Sequence, residues 1–220
     1  MAADGYARGA RILSVGIAST GLFTFAYFAV GSHVLDPDEY GAISLLWSVL
    51  FVVLSVIYRP VEQLLAATIA RRRAAGATGG HPLRTPALIQ AGFAAAFLVA
   101  ALVLRSPIED AFDSETLYWV LVVAAMAYAA SYFARGWFAG HQWFGLYGGL
   151  VLFESVSRFC FPLAVAVGAA GGQTAVALGI AAAPVASLLV LPWALGRGDG
   201  TGGEREAMAL REGGGFAGGV

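Results

Sequence analysis

Six long apolar runs, separated by short polar connectors, make up most of the chain. The connectors contain the turn-forming and charged residues that commonly end helices, as in DPDEYG, GATGGHP and RSPIEDAFDSE. A helix needs about 20 mostly apolar residues to cross a hydrocarbon core of about 30 Å. The pattern therefore predicts six transmembrane helices, at Ile12–Leu35, Tyr40–Val61, Pro86–Leu104, Leu117–Phe138, Leu146–Val167 and Thr174–Leu195.

The composition supports a lipid environment for these runs. Hydrophobic residues make up 59% of the chain and charged residues only 12%, whereas soluble domains carry about 25% charged residues. The formal net charge of -1 gives no argument for a nucleic-acid partner. We therefore expect an all-α polytopic membrane protein in which residues 1–196 form a bundle of six transmembrane helices.

The arginines predict how this bundle is oriented, because basic residues near helix ends are retained in the cytoplasm. One set of connectors and helix ends receives ten arginines, and the opposite set receives only Arg105 together with most of the acidic connector residues. The chain is thus predicted to be a multi-pass protein of the cytoplasmic membrane with both termini in the cytoplasm. The ten are Arg8, Arg11, Arg71, Arg72, Arg73, Arg84, Arg135, Arg197, Arg205 and Arg211.

The last segment, residues 197–220, is rich in glycine and of mixed charge. This composition predicts a flexible cytoplasmic linker. The segment nevertheless turns apolar again at its end, FAGGV. Two interpretations remain open, a disordered end of the chain or the beginning of a missing seventh helix.

Glu154 and Arg158 lie near the middle of the fifth apolar run. An ionisable side chain in the bilayer core costs several kcal/mol, so it normally faces a partner or a polar cavity. Their i,i+4 spacing places both on one helix face, with the glutamate N-terminal to the arginine, the better orientation for a pair. A self-neutralising structural pair and a pair that lines a cavity are both compatible with this spacing.

The second run carries Arg59, Pro60 and Glu62 and then continues as QLLAATIARRR. This continuation predicts a helix of about 34 residues that extends beyond the bilayer. Pro60 removes a backbone hydrogen bond and is expected to bend this helix. Arg59 and Glu62 would then share a face near a cytoplasmic opening, where a functional role for Arg59 and an ion pair with Glu62 are the two alternatives.

No motif for catalysis, cofactor binding or metal binding stands out. The histidines and Cys160 have no second ligand at metal spacing, and the chain lacks a GxSxG motif, a phosphate loop and a Ser/His/Asp set. We expect neither enzymatic activity nor a cofactor. Gly136 and Gly140 form a small-xxx-small pair suited to close helix contact.

Two stretches carry a resemblance to a known family. LDPDEYG, Leu35–Gly41, resembles the first-loop signature of the polysaccharide-transporter (O-antigen flippase-like) branch of the MOP flippase superfamily, with Asp36 in place of the usual glycine. The stretch ARGWFAGHQWFGLYGGLVLFESVSRF is similar to the fourth-to-fifth helix region of that branch. The matching positions there are Arg135, Gly136, Gly140, Gln142, Phe144, Glu154 and Arg158.

The resemblance implies one lobe, the N-terminal half, of a MATE-like transporter that moves a polyprenyl-pyrophosphate-linked glycan across the membrane by alternating access. The second lobe would come from the same full-length chain or from a homodimer partner. Arg59, Glu62, Glu154 and Arg158 are the implied substrate-binding residues, with the arginines attracting the pyrophosphate. Two alternatives remain: a cation-coupled multidrug antiporter using Glu154 or Glu62 as its protonatable carboxylate, and a non-transport membrane scaffold.

Overall fold

The computed structural model describes residues 2–76 and 83–189, and all regular structure in these two ranges is helical. Six segments are long and apolar enough to cross a membrane, as the sequence predicts. The described residues form no β-strand, so the all-α prediction is confirmed. They are α1 Ala2–Val34, α2 Pro37–Val53, a π-helical turn Leu54–Tyr58, α3 Arg59–Ala74, α4 Arg84–Val103, α5 Arg105–Phe112, α6 Glu115–Gly140, α7 Phe144–Ala166 and α8 Gly172–Leu189.

Local chemistry explains where α2 begins. Asp36 is extended, with φ -66° and ψ 157°, and Pro37 occupies the first turn of the helix, where its missing N–H is not needed. The backbone N–H of Asp36 donates to the Glu39 carboxylate at 3.4 Å, a local contact typical of helix starts. Part of the LDPDEYG string is therefore accounted for by the start of a helix.

The second predicted span is one continuous helical segment, Pro37–Ala74, of 38 residues. The predicted long helix is thus confirmed. Pro60 has no N–H and its ring crowds the carbonyl of residue 56, and the backbone forms the π-helical turn Leu54–Tyr58 at this place. The bend expected at Pro60 stays a prediction, and the helical segment contains a π-helical turn just before this proline.

The connector RSPIEDAFDSE contains a short helix, α5, that the sequence pattern does not predict. Arg105 at its start donates to Glu109 at 2.6 Å and to Glu115 at 2.7 Å. Phe112 at its end is buried against the main core. The connector is therefore ordered by an ion-pair network on one side and an apolar anchor on the other.

Helix α6 is the central helix of the lobe. In its most apolar window 61% of the residues are buried, against 18–44% for the other five candidate spans. The main apolar core contains side chains from α2, α6 and α8, including Leu46, Leu50, Leu121, Ala125 and Ile180. More of α6 than of any other candidate span among the described residues is therefore enclosed by protein.

Glycines allow the closest helix contacts. A Cβ built on Gly16 of α1 would lie 3.1 Å from the Cα of Gly148 on α7, and one on Gly136 of α6 would lie 2.8 Å from the carbonyl oxygen of Glu62 on α3. The small-xxx-small pair Gly136/Gly140 does therefore lie at a helix contact. The compact unit formed by these helices reaches Ser187, and the linker predicted over 197–220 lies outside the described residues.

Candidate functional site

Glu154 of α7 is enclosed inside the lobe, with 1% of its surface exposed. Its carboxylate accepts hydrogen bonds from Arg135 and Ser131 on α6 and from Ser187 on α8 at 3.1 Å. A buried carboxylate is tolerated when an opposite charge and further donors satisfy it. The carboxylate of Glu154 therefore joins three helices through one buried ionic cluster.

The cationic partner of Glu154 is Arg135 and not Arg158, the residue four positions further along the same helix. Glu154 and Arg158 both face the interior, as their spacing predicts, but the central helix α6 places another guanidinium against the carboxylate. Arg135 lies inside the predicted span Leu117–Phe138 and is buried within α6, so counting it among the arginines of the cytoplasmic connectors and helix ends was wrong. Removing it from the set leaves nine of the ten arginines (10 - 1 = 9) for the orientation argument.

Arg158 is a buried cation that forms no ion pair with any described residue. It is 5% exposed, its Nη2 donates to the hydroxyl of Tyr128 at 2.6 Å, and its guanidinium carbon lies 4.3 Å from the ring centroid of Trp47. No carboxylate of the described residues lies within the 4.0 Å of an ion pair, and the Nε of Arg158 has no hydrogen-bond partner among them. A hydroxyl and a π face stabilise this charge but do not neutralise it.

The neighbours of Arg158 come from several different helices. Trp47 belongs to α2 and Tyr128 to α6, and Tyr27 of α1 lies in the same buried core as Tyr128. The hydroxyl of Tyr27 also donates to the carbonyl of Val176 on α8 at 2.9 Å. Gly179 of α8 approaches α7 so closely that its Cβ would lie 2.9 Å from the carbonyl oxygen of Arg158. The charge is therefore held at the meeting point of five helices.

Arg135 packs against Tyr132 of α6, whose ring lies close to Tyr58 at the end of the π-helical turn. Its guanidinium carbon lies 4.5 Å from the ring centroid of Tyr132, and Tyr132 is 6.4 Å from Tyr58, centroid to centroid. The hydroxyl of Tyr58 and the Nε of Arg135 are both buried without a described hydrogen-bond partner. The π-helical turn thus ends on a buried polar atom, the hydroxyl oxygen of Tyr58.

Glu62 and Arg59 do not form the alternative ion pair suggested by their spacing. Glu62 is 9% exposed and accepts a hydrogen bond from the hydroxyl of Tyr147 on α7 at 2.7 Å. Arg59 is exposed, and no carboxylate among the described residues lies within 4.0 Å of it. Of the four predicted site residues, three lie inside the lobe and one lies at its surface.

Sequence reasoning missed most of the partners that hold these charges. They are Trp47, Tyr128, Ser131, Arg135, Tyr147 and Ser187. One signal was present on the fourth span, where Tyr128, Ser131, Tyr132 and Arg135 recur at spacings of three and four in an otherwise apolar sequence. That spacing puts them on one helix face, so a polar stripe could have been predicted there.

The cluster combines hydrogen-bond donors with one buried carboxylate, that of Glu154. Its donors are two guanidinium groups and several hydroxyls, and the described residues contain no group of three His, Cys, Asp or Glu side chains that could hold a metal ion. No family model matches the chain, and neither a curated protein nor a solved structure matches it.

Proposed function

We propose that the chain is a multi-pass membrane protein, one lobe of a transporter that moves a lipid-linked, phosphate-bearing glycan across the cytoplasmic membrane by alternating access. Three features support this proposal. Six helices have the length and apolar character of spans, the ionic side chains are gathered inside the lobe, and two stretches resemble the polysaccharide-transporter branch of the MOP superfamily.

The observation that carries the proposal is the unneutralised charge of Arg158. Burying a cation without an anion is costly in a low-dielectric interior. A ligand that brings a phosphate would remove this cost, because guanidinium presents several N–H donors in a fixed geometry that matches phosphate oxygens. The unpartnered Nε of Arg158 is one such donor.

The other site residues then have different roles. Glu154 forms its ion pair with Arg135, which leaves Arg158 without a carboxylate at ion-pair distance among the described residues. Tyr128 and Trp47 orient the Arg158 guanidinium, and exposed Arg59 supplies a cation that an approaching anion meets first. Glu62 fastens α3 to α7 through Tyr147.

Access to Arg158 requires movement, because the residue is enclosed by the helices of its own lobe. We propose that the second lobe, supplied by the same full-length chain or by an identical partner, drives this movement. Two lobes related by an axis along the membrane normal are a common transporter architecture, in which sites form near the bilayer midplane. A single closed lobe would then correspond to an occluded conformation.

The second candidate function is a non-transport membrane scaffold. It is favoured by Glu154, whose carboxylate already has hydrogen-bonding partners on α6 and α8. In this interpretation the cluster has a single role, which is to hold the helices together. In that case Arg158 would be a structural residue as well.

Complementation of a flippase-deficient strain tests the proposal. We expect Arg158→Leu to abolish growth rescue at normal membrane abundance, and the double variant Glu154→Leu, Arg135→Leu to retain part of it, because that change removes the pair without leaving a charge. Full rescue by Arg158→Leu would contradict the transport proposal and favour the scaffold. Rescue of drug efflux alone would favour the antiporter alternative.

A further inference from the structure

A second basic feature lies outside the buried cluster, at the C-terminal end of α3. Three consecutive arginines, Arg71, Arg72 and Arg73, complete this helix. Cations stabilise a helix C-terminus through the macrodipole, but one arginine would suffice for that effect. We refer to these three residues as the basic end of α3.

The basic end of α3 is held in place by α6. A Cβ on Gly140 would lie 2.7 Å from the Cβ of Ile69, so the two helices are in close contact immediately before the arginines. The Nη1 of Arg73 also donates to the carbonyl of His141, in the turn between α6 and α7, at 2.8 Å. The arginines therefore have a fixed position relative to this turn.

These arginines keep most of their N–H donors free. Arg71 uses its Nε for the carbonyl of Ala67 at 3.2 Å, and Arg73 uses Nη1 for His141. Within the two described ranges, no carboxylate lies within 4.0 Å of any of the three. Basic side chains just beyond a transmembrane helix attract the anionic lipids of the cytoplasmic leaflet.

Aromatic rings flank the same turn. His141 lies between Trp137, at 4.2 Å between ring centroids, and Trp143, at 5.1 Å. Trp143 is 38% exposed. Tryptophan concentrates at the membrane–water interface, where its ring lies at headgroup level. The stack lies beside the basic end of α3, and aromatic rings of this kind are common at headgroup level.

We propose that the basic end of α3, together with exposed Trp143, binds the phosphate headgroup of an anionic phospholipid. This inference rests on the membrane insertion proposed above, but not on transport or on Arg158. Anionic headgroups supply the phosphate oxygens that guanidinium groups prefer. Zwitterionic headgroups carry a compensating cation and would be bound more weakly.

Native mass spectrometry of the detergent-solubilised full chain tests this site. The protein is titrated with an equimolar mixture of phosphatidylglycerol and phosphatidylcholine that have the same acyl chains. We expect a clear preference for phosphatidylglycerol, which Arg72→Gln and Arg73→Gln each reduce by about fivefold. Arg105→Gln is the matched control, because it removes the same charge at a different place. Arg105 belongs to α5, which follows the opposite end of α4, so this variant should leave the preference for phosphatidylglycerol unchanged.

Thermal unfolding is measured alongside, since Arg73→Gln also removes the bond to His141. Arg72 makes no such bond, so Arg72→Gln keeps the test decisive if Arg73→Gln does not fold. An unchanged preference in Arg72→Gln, or an equal loss in Arg105→Gln, would overturn the site. So would full competition by soluble glycerol phosphate or by a nucleic-acid oligomer.

Alkaline extraction of membranes separates the two proposals. A chain that alkaline buffer releases is not inserted, and both the proposed function and this site then fail. A chain that is retained but shows no headgroup preference refutes this site alone.

Discussion

The guanidinium of Arg135 on α6 donates to the carboxylate of Glu154 on α7, and this ion pair joins two helices in the interior of the lobe. Arg158, one turn along α7, is left with a hydroxyl and an indole ring as its partners. The two buried arginines therefore differ in kind. Arg135 belongs to a neutral pair, whereas Arg158 retains an unneutralised positive charge.

The first prediction concerns the neutral pair. Glu154→Leu leaves the Arg135 guanidinium buried without its anion, so we expect a loss of about 3–5 kcal/mol in the free energy of unfolding. Adding Arg135→Leu should recover much of this loss. Denaturant titration of the detergent-solubilised variants measures the free energy of unfolding in each case. If the loss in the double variant equals the sum of the losses in the two single variants, the pairing is contradicted.

The second prediction concerns the α3–α6 contact. Gly136→Ala places a methyl group 2.8 Å from the backbone oxygen of Glu62, which cannot move like a side chain, so we expect a loss of about 1–3 kcal/mol. Gly149→Ala is the control, because a Cβ there meets nothing within 4 Å. Equal melting temperatures for the two variants would show that the helices are not packed this closely.

The sequence predicts the spans well because they depend on one local property, the length of an apolar run. It also predicts the continuation through Arg73, since QLLAATIARRR has the composition of a helix. The short helix α5 was missed because its stability comes from contacts such as Phe112 with the core, which no local pattern reports.

The candidate site was harder to predict because its pairing is tertiary. The spacing of Glu154 and Arg158 correctly places both side chains toward the interior, but only the packing of α6 determines which cation reaches the carboxylate. Arg135 was counted among the arginines of the connectors and helix ends, although the polar stripe from Tyr128 to Arg135 has helical spacing. Nothing local in the sequence links Trp47 to Arg158 across 111 positions (158 - 47 = 111).

The third prediction concerns the bond between Tyr147 and Glu62. Tyr147→Phe removes the hydroxyl that donates to the buried carboxylate at 2.7 Å, so we expect the free energy of unfolding to fall by about 1–3 kcal/mol. In a Glu62→Leu background the same change should cost much less. A double-mutant cycle with no coupling between the two positions would refute the contact.

The fourth prediction concerns orientation in the membrane. In a Cys160→Ala background we expect Asp110→Cys, on exposed α5, to react with an impermeant thiol reagent added to intact cells. Ala75→Cys, at the end of α3, should react only after the cells are opened. The reverse labelling pattern would invert the topology that the arginine distribution predicts.

Binding of a polyprenyl diphosphate to Arg158 tests the central claim most directly. Because Arg158 has no carboxylate partner at ion-pair distance among the described residues, Arg158→Leu breaks no ion pair described here and should fold. We expect native mass spectrometry to show at least about a tenfold weaker complex with the diphosphate lipid for Arg158→Leu, a smaller loss for Arg158→Lys, and no change for Arg105→Gln. Equal binding by Arg158→Leu and the unmodified protein, at equal thermal stability, would contradict the claim.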